Sequence, residues 1–366
     1  MGLKYPADTI LIRCPNWVGD AVMTTPTLRC LRRNYPQARI TLLARRYVRQ
    51  VYEDGPWFNE IVEWRGFLSC YRALRGRKFD LAVLLVHSFD SALLARLIGA
   101  AHRAGYTRGD QRFLLSDPIP WPRENRKCRT PGFARVPKVE LYAGITDYLG
   151  CEGCADRRQE LFYNPSQAGI VAETLRRKGA APDKPLVTIV PGAAFGASKH
   201  WSSEKFAAVG DALAGRLGAS VAVIASPDET DIVKAIGAAM KSPLISFDEG
   251  EMDLGLLKPL VASSSLMVTT DTGPRHYAVA FNVPVVVLMG PTDPKNTDSD
   301  YSRTTILRHD LECAPCHRRK CPKDHQCMAL ISVDEVLAAC DDLLGRFGPA
   351  ASWEARLTAD NGRMGK

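Results

Sequence analysis

The chain has 366 residues, 46% hydrophobic and 24% charged, a globular composition whose length fits two domains of ordinary size. No apolar run approaches the roughly 18 residues of a membrane span, and "MGLKYPADTILIRCP" lacks an apolar signal core and a small-residue cleavage site, so a secreted or membrane-spanning protein is not expected. The net charge of +8 is uneven: residues 1–184 hold 30 basic and 18 acidic residues, and the remainder carries a small acidic excess.

From the N-terminus, "TILIRC" (9–14) predicts a strand. A helix follows over 21–34, with Val22, Leu28 and Leu31 at helical spacing and Pro36 beyond its end. Asp20 stands alone at the mouth between the two. "ARITLLAR" (38–45), "EIVEW" (60–64) and "DLAVLLV" (80–86) predict strands, with the basic helix "CYRALRGRKF" before the third and the helix "SALLARLIGA" (91–100) after it. Strands alternating with helices imply a parallel sheet with crossover helices. The Pro-rich, basic stretch 116–138 predicts a long surface loop. "KGAAPDKP" (178–185) predicts a linker.

The alternation then restarts. Strands are predicted at 186–192, 220–226, 244–247, 266–271 and 283–290, with helices over 203–218, "DETDIVKAIGAAM", 254–264 and from 275. The expectation is an α/β chain of two open units: an N-terminal domain over 1–178, a C-terminal one over 186–348, and a tail over 349–366 without order. Two such units imply a cleft, with ligands at the carboxyl ends of the strands.

No G-x-G-x-x-G follows the first strand, which removes the main support for a dinucleotide-dependent oxidoreductase. "GAAFGASK" (192–199) is Gly-rich, but its Lys does not directly follow the second Gly and no Ser or Thr comes after it, so a P-loop is not expected. The strongest local signal is "TTDTGPRHYAVAF" (269–281). A strand ends at Asp271, Thr272 and Gly273 turn, and Pro274 opens a helix whose unpaired N–H groups can cradle a phosphate; an ordinary strand–turn–helix joint capped by Asp271 is the plain alternative. Lys199, in the other glycine-rich strand-end loop, can neutralise a diphosphate as a mobile point charge or face solvent.

The odd count of eleven cysteines argues against a disulfide framework. Most, such as Cys14 and Cys30, are expected to be buried, reduced small hydrophobes. Cys313, Cys316, Cys321 and Cys327 have the spacing C-x2-C-x4-C-x5-C. Structural zinc is one reading of that spacing; packing thiols or labile disulfides are the others. The basic excess of the first half meets an anionic partner or merely solubilises the surface. Its arginine pairs are scattered rather than set among aromatics as in nucleic-acid modules, and an anionic lipid or glycolipid surface fits the charge equally well.

Four stretches in this order, "PNWVGDAVMTTPTL", "PGAAFGASKHW", "TTDTGPRHYAVAFNVPVVVLMGPTDP" and "CAPCHRRKCP", resemble the ADP-heptose:lipopolysaccharide heptosyltransferases over roughly residues 9–340. The W-V-G-D and the cysteine-rich segment are similar to the heptosyltransferase II branch, which adds the second inner-core heptose. The resemblance implies a GT-B fold of two facing Rossmann-like, doubly wound domains with an interdomain cleft. The N-terminal domain takes the acceptor and the C-terminal one the nucleotide sugar. It implies inverting transfer without a metal or other cofactor. The partners implied are ADP-heptose and an anionic lipopolysaccharide inner-core/lipid A acceptor, reached by peripheral contact at the inner face of the cytoplasmic membrane, with no nucleic acid. It puts the family's catalytic Asp on Asp20, its donor-binding Lys on Lys199, and its Asp-x-Gly…His loop on Asp271, Thr272, Gly273 and His276. Strand-end position adds Arg45, Arg46, Arg103 and Arg108 as acceptor-binding candidates. Two departures stand out: His200 where the family often has Arg, and Arg275 where it is often apolar. The same fold with another nucleotide sugar, or a non-catalytic nucleotide-sugar or glycolipid binder, are the alternatives.

Overall fold

The computed structural model describes residues 2–107, 109, 111–122, 136–192, 194–297, 301–348 and 351–359. The chain divides into two compact units: Met1–Leu161 with Lys295–Ser299, and Phe162–Pro294 with Asp300–Lys366.

The first unit holds a six-stranded sheet, β1 (Thr9–Arg13), β2 (Arg39–Ala44), β3 (Glu60–Glu63), β4 (Leu81–Leu84), β5 (His102–Thr107) and β6 (Asp117–Pro120), in the order β3-β2-β1-β4-β5-β6. Every pairing is parallel. β1 and β4 are almost wholly apolar and buried because helices cover both faces of the sheet. The helix expected over 21–34 is two: α1 (Val18–Met23) and α2 (Thr25–Asn34), joined at Thr24. Pro26 falls in the first turn of α2, where a missing N–H costs nothing, so the helix restarts there. α3 (Arg46–Tyr52), α4 (Phe67–Leu74), α5 (Phe89–Leu97) and α6 (Lys138–Tyr148) are the other α-helices among the unit's described residues. The stretch 116–138 is not all loop as expected. It contributes β6, an edge strand, where Pro118 and Pro120 remove no ladder bond to a further strand; residues 123–135 lie outside the described ones.

The second unit repeats the pattern: β7 (Leu186–Val190), β8 (Ser220–Val223), β9 (Leu244–Ile245), β10 (Leu266–Thr270), β11 (Val285–Leu288) and β12 (Thr304–Leu307), ordered β12-β11-β10-β7-β8-β9 and again parallel. Its helices are α7 (Pro165–Arg177), α8 (Ser203–Leu217), α9 (Thr230–Ala239), α10 (Leu257–Ser263), α11 (Arg275–Ala280), α12 (Gln326–Ala329), α13 (Val333–Phe347) and α14 (Trp353–Ala359). α7 begins with a capping box of Asn164 and Gln167 and packs on α10. The units therefore divide before α7, at Leu161/Phe162, not over 178–185 where the sequence placed the linker. The tail expected to lack order contains α14. Trp353 is fully buried, and its indole N–H donates to the Ala181 carbonyl at 2.9 Å.

Cys14 meets expectation as a buried thiol, its pKa pushed by burial up to about 12. Cys30 does not: it is bonded to Cys154. α2 turns Cys30 toward the strap 151–160, and the two Cα atoms lie 5.3 Å apart, within bridging range.

Candidate active site

In both sheets the strand order reverses beside the first strand of the unit, between β1 and β4 and between β7 and β10. Open α/β sheets bind ligands at such switch points, outside the carboxyl ends of the strands. Asp20 falls at the first of these places, and Lys199, Asp271, Thr272, Gly273 and His276 at the second.

In the first unit β1 runs into Cys14-Pro15-Asn16-Trp17, and α1 starts at Val18 with Asp20 in its first turn. Asp20 is 9% exposed. Lys138, the first residue of α6, sets its ammonium 2.7 Å and 2.8 Å from the two carboxylate oxygens. Tyr142, one turn further on, is buried, and burial followed by the Asp20 charge pushes its hydroxyl well above its ordinary pKa. One helix thus supplies both the cation and the neutral hydroxyl beside the carboxylate.

Below this mouth lies Arg13, the last residue of β1, 3% exposed. Its guanidinium stacks 4.4 Å over the Trp64 ring and donates to the Leu43 carbonyl at 3.3 Å and to Asn16 Oδ1 at 2.9 Å. All its partners are neutral, and burial followed by the nearby Arg45 charge lowers its pKa. Arg45 and Arg46 are exposed where β2 passes into α3. Arg103 is engaged differently from the expectation. Its guanidinium donates to the carbonyls of Leu114, Ala100 and Ala101, anchoring the turn after β5. Arg108 lies outside the described residues.

In the second unit Lys199 comes from the loop after β7 and Asp271 from the end of β10, adjacent strands at the switch point. The Lys199 ammonium, 7% exposed as a residue, sits 2.6 Å from Asp271 Oδ2 and 2.7 Å from the Asp271 carbonyl, with the Phe195 ring 4.9 Å away. Thr292, beyond β11, donates to the same carboxylate oxygen at 2.7 Å, and Arg275 Nη1 lies 3.5 Å from the other. Burial alone would raise the Asp271 carboxyl. The Arg275 and Lys199 charges and the hydrogen bonds from Lys199 and Thr292 outweigh it, holding the carboxyl well below the usual range. Two buried cations thus face one part-buried carboxylate. His276 is buried, 3.4 Å from Arg275 Nε.

At the turn after Gly273 the first helical N–H groups are bonded locally. The N–H groups of Arg275, His276 and Tyr277 donate to the carbonyls of Thr272, Gly273 and Pro274.

The cysteine-rich segment buttresses the Lys199 loop. Ser198 donates from its N–H to the Arg319 carbonyl at 3.1 Å and from its hydroxyl to the Arg318 carbonyl, and its own carbonyl meets the His325 ring. Gly196 has a positive φ of 146°, and a Cβ there would fall 2.4 Å from the Arg319 carbonyl oxygen. Cys313, Cys316, Cys321 and Cys327 are free thiols, and no group of three or more His, Cys, Asp or Glu among the described residues is placed to hold a metal ion.

The contacts of four residues of these sites were not legible in the sequence. Arg275 and Thr292 lay inside quoted motifs, but nothing in the spacing says that they converge on Asp271. Lys138 and Arg13 gave no signal, since their role depends on contacts between remote segments.

Two successive parallel sheets of one strand order, each with its polar cluster at the switch point, are the paired Rossmann-like units of the GT-B fold. The solved glycosyl transferase family 9 protein of Veillonella parvula matches 94% of this chain and 99% of its own length with a TM-score of 0.80 at 22% identity, a likeness of fold. The solved E. coli ADP-heptose lps heptosyltransferase II matches with a TM-score of 0.76 at 26% identity, over 92% of this chain and 99% of its own. The model of glycosyltransferase family 9 (heptosyltransferase) matches residues 67–326, and the chain belongs to that family. Among characterised relatives, lipopolysaccharide heptosyltransferase 2 of E. coli K12 is 29% identical over 82% of this chain and 87% of its own. Lipooligosaccharide heptosyltransferase 2 of Haemophilus influenzae is 26% identical over 92% and 99%.

Proposed function

We propose that this glycosyltransferase moves a heptose from ADP-heptose to the inner core of a lipopolysaccharide precursor, as the second heptose. The observation that carries the reading is Asp20, a part-buried carboxylate at the first switch point whose two oxygens are gripped by one ammonium. Family membership and the near full-length likeness to heptosyltransferases 2 support the choice of sugar and acceptor.

The acceptor hydroxyl approaches Asp20 and attacks the anomeric carbon. The new carbon–oxygen bond forms as the bond to the diphosphate breaks, and the hydroxyl proton passes to the Asp20 carboxylate. Attack opposite the leaving group inverts the anomeric centre. Lys138 fixes the carboxylate in one orientation for this step. ADP departs with the bonding electron pair, and Lys199 and Arg275 balance the charge gathering on it. These fixed cations do the work a divalent metal performs elsewhere, so the transfer is metal-independent. Thr272, Gly273 and His276 line the donor pocket, and Asp271 holds Lys199 and Arg275 in register. Arg45 and Arg46 are the acceptor-side cations; the carbonyl-bound Arg103 serves its own turn instead.

No helix of the described residues is long and apolar enough to cross a membrane. The proposed acceptor is lipid-linked, and on this reading the enzyme works at the inner face of the cytoplasmic membrane by peripheral contact. A panel of nucleotide sugars tests the donor: ADP-heptose is turned over, and a preference for another nucleotide sugar overturns the assignment.

A further inference from the structure

The first unit exposes large apolar side chains on its outer helices. On α4, Leu68 is 65% exposed, and Arg72 and Arg75 follow it at i+4 and i+7 on the same solvent-facing stripe. On the neighbouring α5, Phe89, Leu93 and Leu97 repeat every four residues; Phe89 is 43% and Leu97 52% exposed, with Arg96 beside them. Phe113, 65% exposed in the 3-10 turn Arg112–Leu114, closes the patch with its ring 6.3 Å from that of Phe89. Arg96 donates to the Phe113 carbonyl at 3.0 Å, which ties the turn to the helix. Underneath lies the packed core of Leu11, Leu43, Cys70, Leu74 and Phe79; Leu93 packs against it, whereas Leu68, Phe89, Leu97 and Phe113 are exposed.

The charge around the patch is mainly basic. From Arg65 to Lys78 there are five cations and no acid, although Arg65 and Arg77 pair with Glu63 and Glu60, and Asp90 is the only acid within α4, α5 and the turn. Arg72, Arg75, Lys78 and Arg112 make no ion pair with any described residue. Contiguous exposed apolar surface marks an interaction site. An apolar ridge fringed by unpaired arginines matches the boundary between anionic headgroups and acyl chains, where apolar area and basic charge act together.

We propose that the outer face of α4 and α5, with the Arg112–Leu114 turn, is the surface by which this protein docks on an anionic bilayer. This rests on the reading of the acceptor as lipid-linked, and it names residues other than the acceptor-side Arg45 and Arg46.

The test is co-sedimentation of the full chain with phosphatidylglycerol/phosphatidylcholine vesicles and with pure phosphatidylcholine vesicles across a salt series. A water-soluble, delipidated acceptor gives the transfer rate in parallel. Wild type should bind the anionic vesicles and lose them as salt rises. Leu97→Ser with Phe113→Ser should cut the partition coefficient at least about tenfold. Arg72→Gln with Arg75→Gln should cut it about 30-fold at low salt. Both double variants should retain wild-type turnover of the soluble acceptor, which also reports that they fold. Wild type failing to bind, variants partitioning like wild type, or a wild-type dimer that the serine variant dissolves would each overturn the proposal; the last would assign the patch to a second copy of the chain. Vesicle binding without turnover of the soluble acceptor would overturn the heptosyltransferase reading and leave the docking surface standing.

Discussion

A single ammonium, that of Lys138, holds both carboxylate oxygens of Asp20, at 2.7 Å and 2.8 Å, across 118 residues of sequence. The pairing converts a residue at the mouth of a short helix into an oriented group. Asp20→Ala should lower kcat by about 10²–10⁴-fold and leave ADP affinity within about twofold. Lys138→Met should lower kcat by about tenfold or more through misplacement of the carboxylate. The double variant should be no slower than Asp20→Ala alone, because Lys138 acts through Asp20. Single-turnover rates and ADP titrations check all three, and an additive double variant would separate the two residues.

Lys199 and Arg275 share Asp271, so each loss has its own signature. Lys199→Ala should weaken ADP binding and slow transfer together, since its charge serves the bound and the departing diphosphate alike. Lys199→Arg should rescue only part of the loss, a planar fork replacing a point charge. Initial rates should be indifferent to EDTA. A divalent-cation requirement for the chemical step would contradict the role given to these two cations.

Much of the architecture was legible because it rests on local pattern. Apolar runs of four to six residues between amphipathic stretches give most strands of both sheets; Asp20 stands in the first turn of the helix after β1, Lys199 in the loop after β7, and Asp271 directly after β10. What escaped depends on partners far along the chain. β6 carries two prolines that argue against a strand until its edge position is known. α7 joined the second unit because of its packing on α10, and α14 hid in a weakly periodic tail whose anchor is one tryptophan. Lys138, Arg275 and Thr292 are ordinary polar residues until the fold brings them to a carboxylate.

The acid limb of stability should report Asp271. Its carboxyl titrates in the folded chain below the unfolded value of about 3.9. The stabilisation is therefore full above that value and is lost as the pH falls through it toward the folded one. Asp271→Asn should flatten the decline in denaturation midpoint below pH 4, at the cost of lower stability near neutrality, where Lys199 and Arg275 lose their counter-charge. Urea melts between pH 3 and 7 measure this; an unchanged acid limb would contradict the buried pairing.

Gly196 links the cysteine-rich segment to the donor site. Gly196→Ala drives a Cβ to 2.4 Å from the Arg319 carbonyl oxygen at a φ of 146°, so the loop carrying Lys199 must shift. ADP affinity should fall although Lys199 is intact. Calorimetric titration with ADP checks it, and unaltered affinity would uncouple the two segments.

Arg13 is a buried cation with neutral partners only, so its removal should cost little. Arg13→Met should melt within about 1 kcal/mol of wild type or above it, because an uncompensated buried charge is itself a penalty. A larger loss in a thermal melt would mean that its bonds to Leu43 and Asn16 are structural.

The central claim is that Asp20 takes the proton while ADP-heptose gives up its sugar with inversion. Its most direct measurement is mass-resolved and NMR analysis of the product formed from ADP-heptose and a mono-heptosylated inner-core acceptor, by wild type and by Asp20→Ala in parallel. The account predicts one added heptosyl residue with anomeric configuration opposite to the donor's, and none above background from the variant. Retained configuration, or an Asp20→Ala variant above about a tenth of wild-type turnover, would contradict it.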